Sequence, residues 1–109
     1  MSQSFEEVDV NAAASRLNEY RVVDVREADE FLGPLGHVAG SDLLPLSQVA
    51  ESAASLGDRP LLLVCRSGRR SAQACEVLIG LGVTDVTNLA GGMIAWNEAG
   101  LPVEGRNPA

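Results

Sequence analysis

The sequence is poor in the residues from which metal centres and disulfide frameworks are built, with two cysteines and one histidine in 109 residues. Cys65 and Cys75 stand ten positions apart and fit no metal-ligand spacing. Two cysteines in a reducing compartment are more often free thiols than a disulfide. No stretch approaches the ~18 consecutive apolar residues of a membrane helix. Met1 to Val10 lacks the basic-then-apolar pattern of a signal segment. These absences predict a cytoplasmic protein with no membrane partner and with neither metal nor cofactor. Basic charge is also scarce, eight side chains against 15 acidic ones, for a net charge of -7. Such a surface repels nucleic acid and anionic membranes, so nucleic-acid binding is disfavoured. There is no low-complexity run and no repeat at fixed period.

What remains is ordinary for one globular domain: 46% hydrophobic and 21% charged residues. The length suffices to close one hydrophobic core without staples. Residues 1–109 are expected to form a single domain with a core over about 5–102.

Segments of strand and helix character alternate along the chain. Phe5 to Val8 suits a short edge strand, and Asp9 is placed to cap a helix from Asn11 to Leu17. Arg21 to Val25 is dense in β-branched residues and reads as a buried strand that delivers Asp24 and Arg26 to its end. Gly33 to Gly36 is a loop, and a short strand is expected around Leu43 and Leu44. Ser47 looks like the cap of a helix over Gln48 to Ser55. Leu61 to Val64 is a continuous apolar run, the mark of a central parallel strand covered on both faces. Ser71 to Leu81 reads as a helix with Ala72, Cys75, Leu78 and Ile79 on its apolar side. A last strand falls within Val83 to Leu89, and Gly91-Gly92 turns into a helix over Met93 to Ala99. This alternation predicts an α/β fold, a small parallel sheet with helices on both faces. Ligands of such sheets bind beyond the carboxyl ends of the strands, where Asp24 to Arg26 and Cys65 to Arg70 can meet.

The chemistry concentrates at Cys65-Arg66-Ser67-Gly68-Arg69-Arg70-Ser71, where a strand ends on a cysteine and a basic loop leads into a helix. Three of the eight basic side chains lie here with no acid among them, so an anion is drawn to this segment. The helix N-terminus, inward loop N–H groups and guanidinium charges all favour thiolate over thiol. They are expected to bring Cys65 below a free cysteine's value of about 8.5. Gly68 supplies backbone angles closed to other residues, and a bulkier residue there should collapse the cradle.

This loop resembles the active-site loop of rhodanese domains, and three other segments are similar to that family in order and spacing. They are Val22 to Glu27 with Glu30-Phe31, then Gly36-His37-Val38-Ala39-Gly40, then Leu89 to Trp96. The resemblance covers roughly Phe5 to Pro102 and implies a rhodanese-like fold. It also implies a sulfurtransferase of the thiosulfate type. A Cys65 persulfide would form from a small anionic donor and be discharged to a thiol, cyanide or a sulfur-carrier protein. Arg66, Ser67, Gly68, Arg69 and Arg70 would bind the donor. Asp24 would orient a loop arginine or the surroundings of Cys65, or else cap nearby backbone, and Arg26 and Glu30, four apart, would form a supporting local ion pair. The resemblance makes His37 a structural loop residue, while Cys75 reads as buried packing and Trp96 as a core anchor. Asp42 and Leu43 depart from the family pattern between Gly40 and Pro45, beside the expected substrate mouth, which puts donor preference in question. Two other classes fit such a scaffold. A non-catalytic partner-binding module is one, although such modules often lack the cysteine. A phosphatase or arsenate reductase is the other, although related phosphatases resemble Cys-x-x-x-x-x-Arg, one residue longer than Cys65 to Arg70.

Overall fold

A computed structural model of the chain describes residues 5–106. Among these residues five strands form one sheet: β1 (Glu6–Val8), β2 (Arg21–Asp24), β3 (Asp42–Leu43), β4 (Leu61–Val64) and β5 (Val86–Leu89). Their order is β1-β5-β4-β2-β3 and every pairing is parallel. All four residues of β4 are buried, which explains why that segment carries no polar alternation. Each such leucine taken from water stabilises the fold by about 2 kcal/mol.

Helices cover both faces. On one side α3 (Val49–Ser52) and α4 (Arg69–Gly80) bury Val49, Ala74, Cys75 and Leu78 against Val23, Leu61, Leu63 and Val86. On the other, α1 (Val10–Ala14) and α5 (Gly92–Glu98) bury Val10, Ala13, Met93 and Trp96 against Val22, Leu62, Val64 and Leu89. Alternate residues of each strand thus feed opposite cores, the consequence of a period of two. None of these helices is long and apolar enough to cross a membrane.

Several boundaries differ from the sequence expectation. Asp9 does cap α1, its Oδ1 accepting from Ala12 N at 2.8 Å, but the helix stops at Ala14 and a 3-10 turn follows at Leu17–Glu19. Ser47 caps nothing: it lies inside a 3-10 turn, Leu46–Gln48. Backbone partners replace the cap, Gln48 N reaching Pro45 O at 2.8 Å and Leu46 N reaching Val25 O at 3.0 Å. The short helix α2 (Ala28–Phe31) is an element that the sequence pattern does not predict, and Glu30 closes its first turn by accepting from Glu27 N at 3.0 Å. Helix α4 begins at Arg69 rather than Ser71, because Gly68 turns the chain at φ +100°.

Candidate active site

The chain leaves β4 at Cys65 and wraps a loop around its own sulfur before entering α4. Two features force that path. The first N–H groups of α5 hold the loop carbonyls, Met93 N on Cys65 O at 2.9 Å and Ile94 N on Arg66 O at 3.0 Å. In a trans peptide the N–H points opposite its carbonyl, so the Arg66 and Ser67 N–H groups are turned away from α5. This docking requires a glycine at the start of α5: a Cβ on Gly92, itself at φ +57°, would run into the carbonyls of Cys65 and Arg66. The second feature is Gly68, whose φ of +100° suits glycine alone and whose Cβ would meet Gly91 N at 3.3 Å.

Cys65, at the centre, is buried, with 1% of the residue exposed. Gly68 N donates to Sγ at 3.0 Å and Ser71 Oγ lies 3.3 Å from it. Burial pushes the thiol up, but the Ser71 hydroxyl and the N–H groups of Ser71, Gly68 and Ser67 together outweigh it. The net effect holds Cys65 below the ordinary cysteine value. Close donors therefore favour the thiolate more than the guanidinium charges on which the sequence reading also leaned. Arg70 does feel the sulfur's charge, though less than it feels Glu30.

The three loop arginines divide into two kinds. Arg66 and Arg69 are exposed, as is Ser67. Arg70 is half-buried and committed: its Nη1 and Nη2 bond the two oxygens of Glu30 at 2.8 Å each. The Arg26–Glu30 ion pair expected from their spacing does not form, because α2 turns the Glu30 carboxylate toward Arg70. Arg26 instead forks onto Asp24, Nε to Oδ1 at 2.9 Å and Nη2 to Oδ2 at 2.8 Å, with both side chains 1% exposed. It also donates to the carbonyls of Glu30 at 3.2 Å and Gly36 at 2.7 Å. Asp24 accepts from Arg26 N as well, at 3.1 Å. Asp24 thus holds the guanidinium and the backbone N–H of Arg26 rather than a loop arginine. The buried pair ties the end of β2 to the loop after α2.

Sequence reasoning did not find the partners of Ser71. Asn88, 1% exposed on β5, stands with its Oδ1 2.5 Å from Ser71 Oγ, and its Nδ2 reaches Gly68 O at 3.1 Å and Glu7 Oε2 at 2.9 Å. A signal was present, since Asn88 lies in register with Val86 on the face that packs α4, where an amide needs a polar partner.

The remaining candidates lie elsewhere. His37 stacks on Phe31 at a ring separation of 3.6 Å, shares a hydrogen bond of 2.8 Å with Phe31 O, and pairs its backbone with Glu104. Cys75 is buried, and that burial, with Glu7 and Glu76 adding to it, pushes its thiol up to about 12. Both cysteines are free thiols. Trp96 is 1% exposed and donates to Pro102 O at 2.9 Å, an anchor as expected. Asp42 corrects the expectation of a residue beside the mouth, because it pairs with Arg21 Nε at 3.0 Å, and Arg21 opens β2 at the sheet end opposite Cys65. Beside the loop lies a cavity of about 290 Å³ lined by Arg26, Glu30, Pro34, Leu35 and Arg66. Its walls join two arginines and a carboxylate to the apolar Pro34 and Leu35.

Residues 9–99 match the family described as rhodanese-like domain. A sulfurtransferase of Allochromatium vinosum is 35% identical over 101 residues, covering 89% of this chain and 92% of its own length. The thiosulfate sulfurtransferase GlpE of Pseudomonas aeruginosa is 36% identical over 101 residues, with coverage of 90% and 89%. Among solved structures, a rhodanese-related protein from Thermoplasma volcanium aligns with a TM-score of 0.86 at 31% identity, covering 93% of this chain and 99% of its own. Two other relatives are longer: the chain spans 45% of a Synechocystis protein to which it is 39% identical and 60% of the Bacillus subtilis protein YqhL, 38% identical.

Proposed function

The chain belongs to the rhodanese-like domain family, and from that footing we propose that it is a sulfurtransferase moving sulfane sulfur from an anionic donor such as thiosulfate through a persulfide on Cys65. The observation that carries this reading is the sulfur at the hub of its loop, with Gly68 N at 3.0 Å and Ser71 Oγ at 3.3 Å. The thiolate would attack the outer sulfur of thiosulfate, forming an S–S bond to Sγ, while sulfite leaves with the electron pair of the broken bond. The new terminal sulfur carries the negative charge, which loop N–H groups are suited to stabilise. In the second half-reaction cyanide or a thiolate attacks that terminal sulfur, and the Sγ–S electrons return to Cys65.

Arg66 and Arg69 are the exposed cations available to draw the donor in, and Arg70, held in place by Glu30, presents a fixed charge beside the sulfur. Ser67, Gly68 and the rest of the loop supply the backbone contacts. Asp24 and Arg26 support the loop after α2 from within the fold. The span from Cys65 to Arg70 suits one sulfur atom better than a phosphoryl group. With both thiols free, a reducing compartment such as the cytoplasm suits this chemistry. The test is thiocyanate production from thiosulfate and cyanide by the wild type and by Cys65→Ser. Turnover that survives the substitution would overturn the reading.

A further inference from the structure

Ser71 and Asn88 lie on the hidden side of the sulfur, and the hydrogen-bond arithmetic between them is closed. Asn88 Nδ2 carries two hydrogens, and each has an acceptor that brings no hydrogen of its own: the Glu7 carboxylate at 2.9 Å and the Gly68 carbonyl at 3.1 Å. Turning the amide over would set its oxygen against both, so Oδ1 faces Ser71 Oγ, at 2.5 Å. Oδ1 only accepts, and the one proton between these oxygens belongs to the Ser71 hydroxyl. That same hydroxyl lies 3.3 Å from Cys65 Sγ. Ser71 is 0% exposed, and Asn88 and Cys65 are each 1% exposed.

A hydroxyl has one proton to give. When Cys65 is a thiol, its S–H can donate to Ser71 Oγ while the Ser71 proton stays on Asn88, and every group in the chain S–H···O–H···O=C is satisfied. When Cys65 is a thiolate, it needs that proton as a donor, and Ser71 can turn to it only by leaving the buried Asn88 oxygen bare. We propose that Asn88 is a positioning residue that competes with Cys65 for the single proton of Ser71 and thereby limits how far the bare thiolate is stabilised. One consequence rests on the persulfide reading given above. In the persulfide the charge has moved to the outer sulfur and Sγ is a neutral bridge, so Ser71 returns to Asn88 at no loss. The Asn88 pull then favours the sulfur-loaded protein over the resting thiolate.

The experiment is a thiolate titration by ultraviolet absorbance in a Cys75→Ala background, where Cys65 is the single thiol. Asn88→Ala should lower the titration midpoint, raising the thiolate fraction about threefold to tenfold at a fixed pH below it. Ser71→Ala should raise the midpoint, and adding Asn88→Ala to Ser71→Ala should change nothing further. A midpoint that rises in Asn88→Ala, or a shift of equal size with and without Ser71, would mean that Asn88 only props the Gly68 carbonyl, and the proposal falls. Should Asn88→Ala not fold, the infrared S–H stretch decides. In the wild type at low pH the Cys65 band should lie at lower frequency than in Ser71→Ala, because its S–H donates to Oγ. An unchanged band would overturn the competition. Neither readout uses a sulfur donor, so a protein that transfers no sulfur but titrates as stated would refute the function and leave this inference standing.

Discussion

Glu30 and Arg70, forty residues apart in sequence, meet carboxylate to guanidinium through two parallel hydrogen bonds of 2.8 Å. The pair joins the one-turn helix α2 to the start of α4 and fixes the arginine nearest the end of the loop around Cys65. Bidentate geometry restrains the guanidinium plane as well as its position, which a single contact does not do. Arg70 is consequently set before any ligand arrives.

The pair has a pH signature. Hydrogen bonds from Arg70 hold the Glu30 carboxyl well below its ordinary 4.5, at about 2, against the opposing effect of burial and with help from Glu27 N–H. A folded-state value below the unfolded one gives stability that is present above about 4.5 and is lost as pH falls toward 2. Glu30→Gln should therefore cost about 1 kcal/mol at neutral pH, since the pair is partly exposed. The gap to the wild type should close between these two values, as read by urea melts across the acid range.

Arg70→Ala should weaken capture of thiosulfate, raising its KM about tenfold, and should raise the Cys65 titration by removing a charge beside the sulfur. Arg70→Lys should restore most of the titration but little of the KM, because an ammonium cannot match the Glu30 fork. Steady-state kinetics and alkylation rates against pH separate the two effects.

Gly68→Ala should cost about 1–2 kcal/mol, because alanine is strained at φ +100° and its Cβ crowds Gly91 N. The same change displaces the N–H that lies 3.0 Å from Sγ, so the Cys65 titration should move up. Thermal melts together with alkylation rates report both shifts in one variant.

Cys75 should be inert. Its thiol is pushed up to about 12, so iodoacetamide near pH 8 should label Cys65 alone in the folded protein and both cysteines in denaturant. Cys75→Ala should keep sulfur transfer and lose about 1 kcal/mol of stability from the space it leaves. Peptide mapping by mass spectrometry assigns the label.

Much of this could be read in the amino acids because it depends on local rules. The apolar run Leu61 to Val64 identified the central strand, and the basic loop that follows located Cys65 at the carboxyl end of the sheet. Gly68 stood out because only a glycine serves a positive φ. What escaped was set by contacts distant in sequence. Glu30 sits four residues from Arg26, and nothing local says that a single helical turn will hand it to Arg70 while Arg26 folds back onto Asp24. Ser47 resembled a helix cap, yet Pro45 and Val25 supplied carbonyls that made a 3-10 turn the better solution. Asn88 and Glu7 are 81 residues apart and meet only because β1 pairs with β5 at the sheet edge. Asp42 followed the same logic in reverse, drawn by Arg21 to the end of the sheet away from the sulfur.

The most direct measurement is the intact mass of the protein after incubation with excess thiosulfate, for wild type and Cys65→Ala, followed by cyanide. Transfer through Cys65 predicts a gain of one sulfur in the wild type, none in the variant, and loss of that sulfur with release of thiocyanate when cyanide is added. An unchanged wild-type mass with thiosulfate and with a persulfide donor, or a gain that persists in Cys65→Ala, would contradict it.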